Sequence, residues 1–154
     1  MYEYSMKLSE ERIPYLVKGK RLRGRNKCNM PDLIYSMIQN NFDVVHLPEE
    51  HVYLLSLDTK CHINGVFEIS HGSVDGSFAN PREILIRALM SGASSIVMIH
   101  NHPSGDPTPS EADILGTQKL NTACKYIGIS LLDHIITGTE TYYSMLEHGT
   151  LVES

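Results

Sequence analysis

The stretch HNHPSGDPTPSEAD, residues 100–113, sets two imidazoles one residue apart, with a serine and an aspartate behind a proline-rich loop. His100 and His102 follow the apolar run Ile96 to Ile99. Strand side chains alternate between faces, so a strand that continues to residue 102 brings both rings out on one side. That separation suits two ligands of one zinc ion. HxH alone is a weak signal, and the plain alternative is a pair of exposed polar residues at a strand end.

Ser110 and Asp113 supply the rest of a site, although S-x-x-D is itself a capping-box pattern. Thr108-Pro109-Ser110-Glu111 offers the helix another start, with threonine at the cap, proline at the first turn and glutamate at the third helical position. Started there, the helix leaves Ser110 and Asp113 free to face the histidines. Pro103, Gly105 and Pro107 restrict the loop that must return Asp113 to them. Two histidines and a carboxylate leave a tetrahedral zinc ion one open corner, the pattern of catalytic sites. Water there has its pKa lowered from 15.7 to about 7. Hydrolysis also needs a base and a donor to the developing oxyanion. Ser110 is the donor this spacing offers, and the base must come from elsewhere. Iron or manganese also suits such a donor set.

The elements that must position these residues are legible in outline. NMPDLIYSMIQNNF predicts a helix with Asn29 at its cap, Pro31 in its first turn and a stripe of Leu33, Ile34, Met37 and Ile38. VYLLSL, Val52 to Leu57, reads as a buried strand and HINGVFEIS as its return; a further strand is expected near Gly72 to Phe78. Asn80-Pro81-Arg82-Glu83 opens a second helix that stops at Gly92, and SSIVMIH is the next strand. A long helix from about Pro109 to Ile127 ends at Gly128, and ISLLDHIIT and TYYSM add two strands. This order predicts an α+β fold, a mixed and largely antiparallel sheet packed by helices.

The 154 residues suit one core, and 42% hydrophobic with 20% charged residues is a globular composition. The acidic start MYEYSMKLSEER and the lack of a long apolar run point to a cytoplasmic protein without a membrane span. Cys28, Cys61 and Cys124 show no CxxC spacing and fit reduced thiols. The net charge of −5 is uneven: residues 1–27 carry eight Lys/Arg against three acids. Residues 1–28 therefore read as a basic arm, solvated and flexible, ahead of a domain over 29–154. KGKRLRGRNK, Lys18 to Lys27, could meet phosphate or an acidic partner, but it holds no aromatic residue to stack on bases.

H-N-H-P, six residues, then S-x-x-D is similar to the metal signature of the JAMM (MPN+, JAB-domain) metalloproteases. With NPREILIRAL before it and LLDHIITG after it, the chain more closely resembles the RadC-like branch, over residues 30–148. The resemblance implies a cytidine-deaminase-like layout, a zinc ion held by His100, His102 and Asp113, and Ser110 beside the water or oxyanion. It also implies a general base at the head of an early strand. Glu50 in LPEEHVYLLSLD fits, Glu49 is one residue out of phase, and Glu68 on the second strand is a rival. The expected activity is cleavage of a peptide or isopeptide amide in a protein or peptide substrate. Longer RadC-like proteins carry a helix-hairpin-helix module, and the residues before the first helix are too few to form one.

Two other readings stand beside the hydrolase. One is a DNA-associated or nuclease factor using the basic segment, and the other is a non-catalytic MPN interaction domain, in either case with homodimerisation open. His134 fits best as a structural histidine of an apolar strand that could still lie near the site, with Asp133 as its orienting partner. Asp106 reads as a turn residue, and Tyr142 and Tyr143 as sheet packing. His46, His51, His62, His71 and His148 have no spacing that assigns them a role.

Overall fold

The computed structural model describes residues 1–28, 30–72 and 80–151. Its elements are β1 (Tyr2–Leu8), β2 (Pro14–Arg21), α1 (Pro31–Phe42), β3 (His51–Leu57), β4 (Ile63–His71), α2 (Pro81–Met90), β5 (Ser95–Asn101), α3 (Glu111–Ile127), β6 (Ser130–Thr137) and β7 (Tyr142–Ser144). The strands form one sheet in the order β2-β1-β4-β3-β5-β6-β7. Among the described residues only β1 with β4 and β5 with β6 run parallel, so the sheet is mixed and mostly antiparallel, and the fold is α+β as the element order predicts.

Alternation along the central strands decides which helix covers which face. Tyr53, Leu55 and Leu57 pack with Ile34, Met37 and Ile38 of α1, whereas Val52 and Leu54 pack with Ile84 and Ala88 of α2 and Leu120 of α3. On β5, Val97 and Ile99 join the first cluster and Ile96 and Met98 the second. His100, next on the even side, therefore emerges under α3. This one parity assigns the metal signature to a face.

The helix signals mostly hold. The Asn80 side chain caps α2 by accepting from the Arg82 N–H, and Gly128 (φ 74°) ends α3 in the left-handed conformation. Met30, with no side-chain cap bond, occupies the α1 cap position, and Asn29 and most of the strand expected near Gly72 to Phe78 lie outside the described residues.

Residues 1–28 do not behave as a free arm. β1 and β2 form an antiparallel hairpin, and β1 pairs with β4 in register Glu3↔Val66. Tyr4 and Leu16 pack against the α2–α3 side of the core, which supplies the apolar burial that a solvated leader lacks. The basic residues are partly spent on this. Lys18 Nζ lies 3.6 Å from the Tyr2 ring centroid, and Lys20 Nζ donates to the Asn41 carbonyl at 3.0 Å while 4.2 Å from the Phe42 ring. A charge count hides the alternation of Tyr2, Tyr4 and Met6 that marks the strand.

Candidate metal centre

Strand β5 carries His100 to the sheet end, and His102 lies one residue beyond it. The Nε2 atoms of the two rings are 3.0 Å apart, and Asp113 closes the triangle with Oδ1 3.3 Å from His100 Nε2 and Oδ2 3.3 Å from His102 Nε2. His100 is buried and the other two are nearly so at their functional ends. Sequence spacing thus brings together the three expected ligands.

The start of α3 differs from the expected one. Ser110, not Thr108, is the N-cap, and Ser110 with Asp113 forms the capping box. Thr108 N–H is instead taken by Asp106 Oδ1 at 2.9 Å, so Asp106 is the turn residue it was expected to be. Asp113 Oδ2 accepts from the Ser110 N–H at 2.7 Å and its hydroxyl at 2.6 Å. One carboxylate therefore serves the helix start and the site at once. Capping does not compete with ligation, because it fixes the carboxylate's orientation toward the imidazoles. It does engage the Ser110 hydroxyl proton, which in this arrangement points to Asp113.

Hydrogen bonds behind each ring fix its tautomer. Thr117 Oγ1 donates to the Asp113 carbonyl at 2.6 Å and so accepts from His134 Nδ1, also at 2.6 Å. His134 Nε2 must then accept from His100 Nδ1 at 2.7 Å, leaving His100 Nε2 as a bare lone pair. Burial drives the His134 pKa well below the ordinary histidine value, so a neutral ring is what this chain requires. His102 Nδ1 faces the Asp106 carbonyl at 2.8 Å, an acceptor only, which also makes its Nε2 a lone pair. Two bare nitrogens and a carboxylate thus face one another at little more than 3 Å, an arrangement that could hold a cation between them.

The electrostatics agree. Burial would raise the Asp113 carboxyl, but with protons on those two nitrogens in place of an ion, hydrogen bonds from His100 and His102 and the His100 charge hold it well below the usual carboxylate range. Its hydrogen bond with Asp113 raises the His102 pKa against desolvation, and the Glu50 charge contributes. The space between these groups favours positive charge, carried by a proton or a metal ion. The donor set of two imidazoles and one carboxylate fits zinc.

Glu50 precedes β3, where Val52 pairs with His100, so alternation sets Glu50 on the side of His100. Asn101, between the two histidines but on the opposite face, grips both peptides around it. Its Nδ2 donates to the Glu49 carbonyl at 3.0 Å and its Oδ1 accepts from the His51 N–H at 2.7 Å. The Gly72 N–H adds a bond to the Glu50 carbonyl at 3.0 Å. Glu68 instead pairs with Tyr53 in register and bonds His51, on the sheet's other face.

Three supporting residues escape sequence reasoning. Asp106 acts through its carbonyl, Thr117 through a helix-interior hydroxyl, and Asn101 through a two-point amide clamp, none of which residue type alone reveals. His134 belongs to the site, but Asp133 does not orient its ring. Adjacent strand residues point to opposite faces, and Asp133 instead accepts from Ser144 Oγ at 2.6 Å and the Leu146 N–H at 2.9 Å. Tyr142 packs 5.3 Å from the Tyr35 ring and Tyr143 stacks on His148, as packing residues should. The ligand loop is held from below: a Cβ on Gly138 would run into the Gly105 carbonyl oxygen and, at 2.7 Å, Pro107 Cδ.

The comparisons with known proteins bear on this geometry. A family model described as a RadC-like JAB domain matches residues 28–150. A UPF0758 protein of Thermotoga maritima is 40% identical over 138 residues, covering 86% of this chain and 61% of its own length. One from Desulfitobacterium hafniense is 38% identical over 136 residues (83% and 60%), and one from Clostridium acetobutylicum 44% over 103 residues (67% and 45%). The chain spans about half to three fifths of the length of these relatives. No described helix is long and apolar enough to cross a membrane. The chain belongs to the RadC-like JAB family.

Proposed function

We propose that the chain is a zinc-dependent hydrolase of the JAMM type that cleaves a peptide or isopeptide amide. The observation that carries this reading is the convergence of two lone-pair nitrogens and one capped carboxylate, with Glu50 on the same side. His100, His102 and Asp113 would hold the ion, which when bound supplies Lewis acidity to a water and to the substrate carbonyl. Glu50 takes the proton from the attacking water and returns it to the leaving amine. Asn101 holds the Glu50 peptide in place for that transfer. Ser110 orients Asp113 in the resting arrangement, and would serve the oxyanion by turning its hydroxyl away from the carboxylate.

The test is Glu50→Gln, assayed on a mixed peptide library and on a lysine-linked isopeptide conjugate. Zinc stoichiometry should be retained while hydrolysis seen with the wild type falls by 10²-fold or more, on the order expected for general base loss. Full hydrolysis by that variant would remove Glu50 from the reaction. The nucleic-acid reading has less support, since Lys18 and Lys20 of the basic segment are engaged within the fold; a non-catalytic interaction domain is the other alternative. DNA binding that weakens with salt and with loss of the basic segment would revive the first. A stable protein purified without metal, and unable to take it up, would favour the second.

A further inference from the structure

On the sheet face opposite the metal signature, His51, Glu68 and His71 form a second group of two imidazoles and one carboxylate. Glu68 Oε1 lies 2.6 Å from His51 Nδ1 and 3.5 Å from His71 Nδ1, and the two rings stack with centroids 5.4 Å apart. All three donor atoms fall within 4.8 Å of one another.

A β-bulge builds this cluster. His51 pairs with His71 and Val52 with Ser70, but Tyr53 pairs with Glu68, so Ile69 is an extra residue in β4. In a regular strand residues 68 and 71, three apart, would point to opposite faces. The extra residue returns them to the same face, beside His51. Meanwhile Ile69 packs into the α2–α3 side of the core, where it helps hold the bulge. The Asn101 bond to the His51 N–H anchors the third member.

Glu68 Oε1 faces both Nδ1 atoms, so two ring nitrogens and one carboxylate oxygen converge on a single point at the sheet surface. A single dication satisfies both nitrogens and the oxygen together. His71 is 65% exposed at its side chain, so such an ion would keep solvent in its remaining positions.

We propose that His51, Glu68 and His71 form a second, exchangeable site for a divalent transition-metal ion such as zinc. It is independent of the proposed hydrolysis. It binds more weakly than the inner centre, because its ligands are more exposed and lack the fixed tautomers of His100 and His102.

The probe is zinc itself, titrated calorimetrically into chelator-stripped protein. Wild type should take up two ions in two affinity classes. His71→Ala, at a side chain that is mostly exposed, should lose the weaker class and keep the tighter one. His100→Ala should lose the tighter class and keep the weaker, and Glu68→Gln should weaken the outer class by at least about tenfold. A single class in the wild type, unchanged by His71→Ala and Glu68→Gln, means an ordinary histidine–carboxylate cluster only and overturns the proposal. Two classes in the wild type that both survive His71→Ala overturn it equally, since the second ion then binds elsewhere.

Discussion

The two faces of the sheet near β3 carry the same donor set, two imidazoles and one carboxylate, at two levels of preparation. At the inner centre each ligand is held from behind: His100 by His134 and Thr117, His102 by the Asp106 carbonyl, Asp113 by its capping box. At the outer cluster the groups chiefly hold one another, with side-chain exposures of 17%, 35% and 65%. Ligand identity is thus equal, and what separates the sites is the supporting shell and burial. Affinity and chemistry should follow that difference, since preorganised groups lose less entropy on binding and act in a drier medium.

The largest expected effect breaks the inner site outright. Asp113→Ala removes a ligand and the capping box together, so zinc at the tighter site should be lost and α3 weakened, with the cap alone costing about 1 kcal/mol. Thermal melting in chelator isolates the cap, and metal analysis reports the ligand. Next comes the shell. His134→Phe leaves every inner ligand in place but removes the acceptor that fixes the His100 tautomer. Zinc affinity should drop roughly 10- to 100-fold by calorimetry, with Thr117→Val toward the lower end. An unchanged affinity would mean that the buried chain of bonds is ornamental and that burial alone separates the two sites.

Acidity sharpens the comparison further. His102 has its pKa raised above the histidine reference of 6.5 through Asp113, so zinc competes with a proton there. Affinity at the inner site is full above that raised pKa and falls as pH drops through it, by about tenfold per unit for one proton. Titrations between pH 5.5 and 8, run on His71→Ala to silence the outer cluster, measure the slope. A smaller effect is expected beneath the ligand loop. Gly138→Ala forces a methyl group against Gly105 and Pro107 and should cost about 1–3 kcal/mol by denaturant unfolding. The least is expected of His71→Ala without metal: an exposed pair contributes about 0–1 kcal/mol, so its unfolding midpoint should barely move.

The convergence of His100, His102 and Asp113 was legible in the sequence because period-two alternation and a rigid loop are local, and these three residues depend on little else. The outer cluster was invisible for the converse reason. A one-residue bulge at Ile69 reverses the parity on which such reasoning relies, and His51 meets His71 only through strand pairing. The hairpin of residues 1–28 shows the same limit, since its partner β4 lies far along the chain. At the α3 start, two overlapping cap patterns competed, and the one that also serves the site prevailed. The S-x-x-D pattern can cap a helix and face the histidines at once, because one Asp113 carboxylate reaches both the Ser110 N–H and the imidazoles. Side-chain roles such as that of Asn101, whose amide clamps the Glu49 carbonyl and the His51 N–H from the opposite face, become legible only in the folded structure.

The most direct test is an anomalous-difference map at the zinc edge from crystals of the zinc-loaded protein. The account predicts a strong peak bonded to His100 Nε2, His102 Nε2 and an Asp113 oxygen, at roughly 2.0–2.2 Å, with solvent in the fourth position facing Glu50. A fourth protein ligand in that position, or zinc density away from these three side chains, would contradict it.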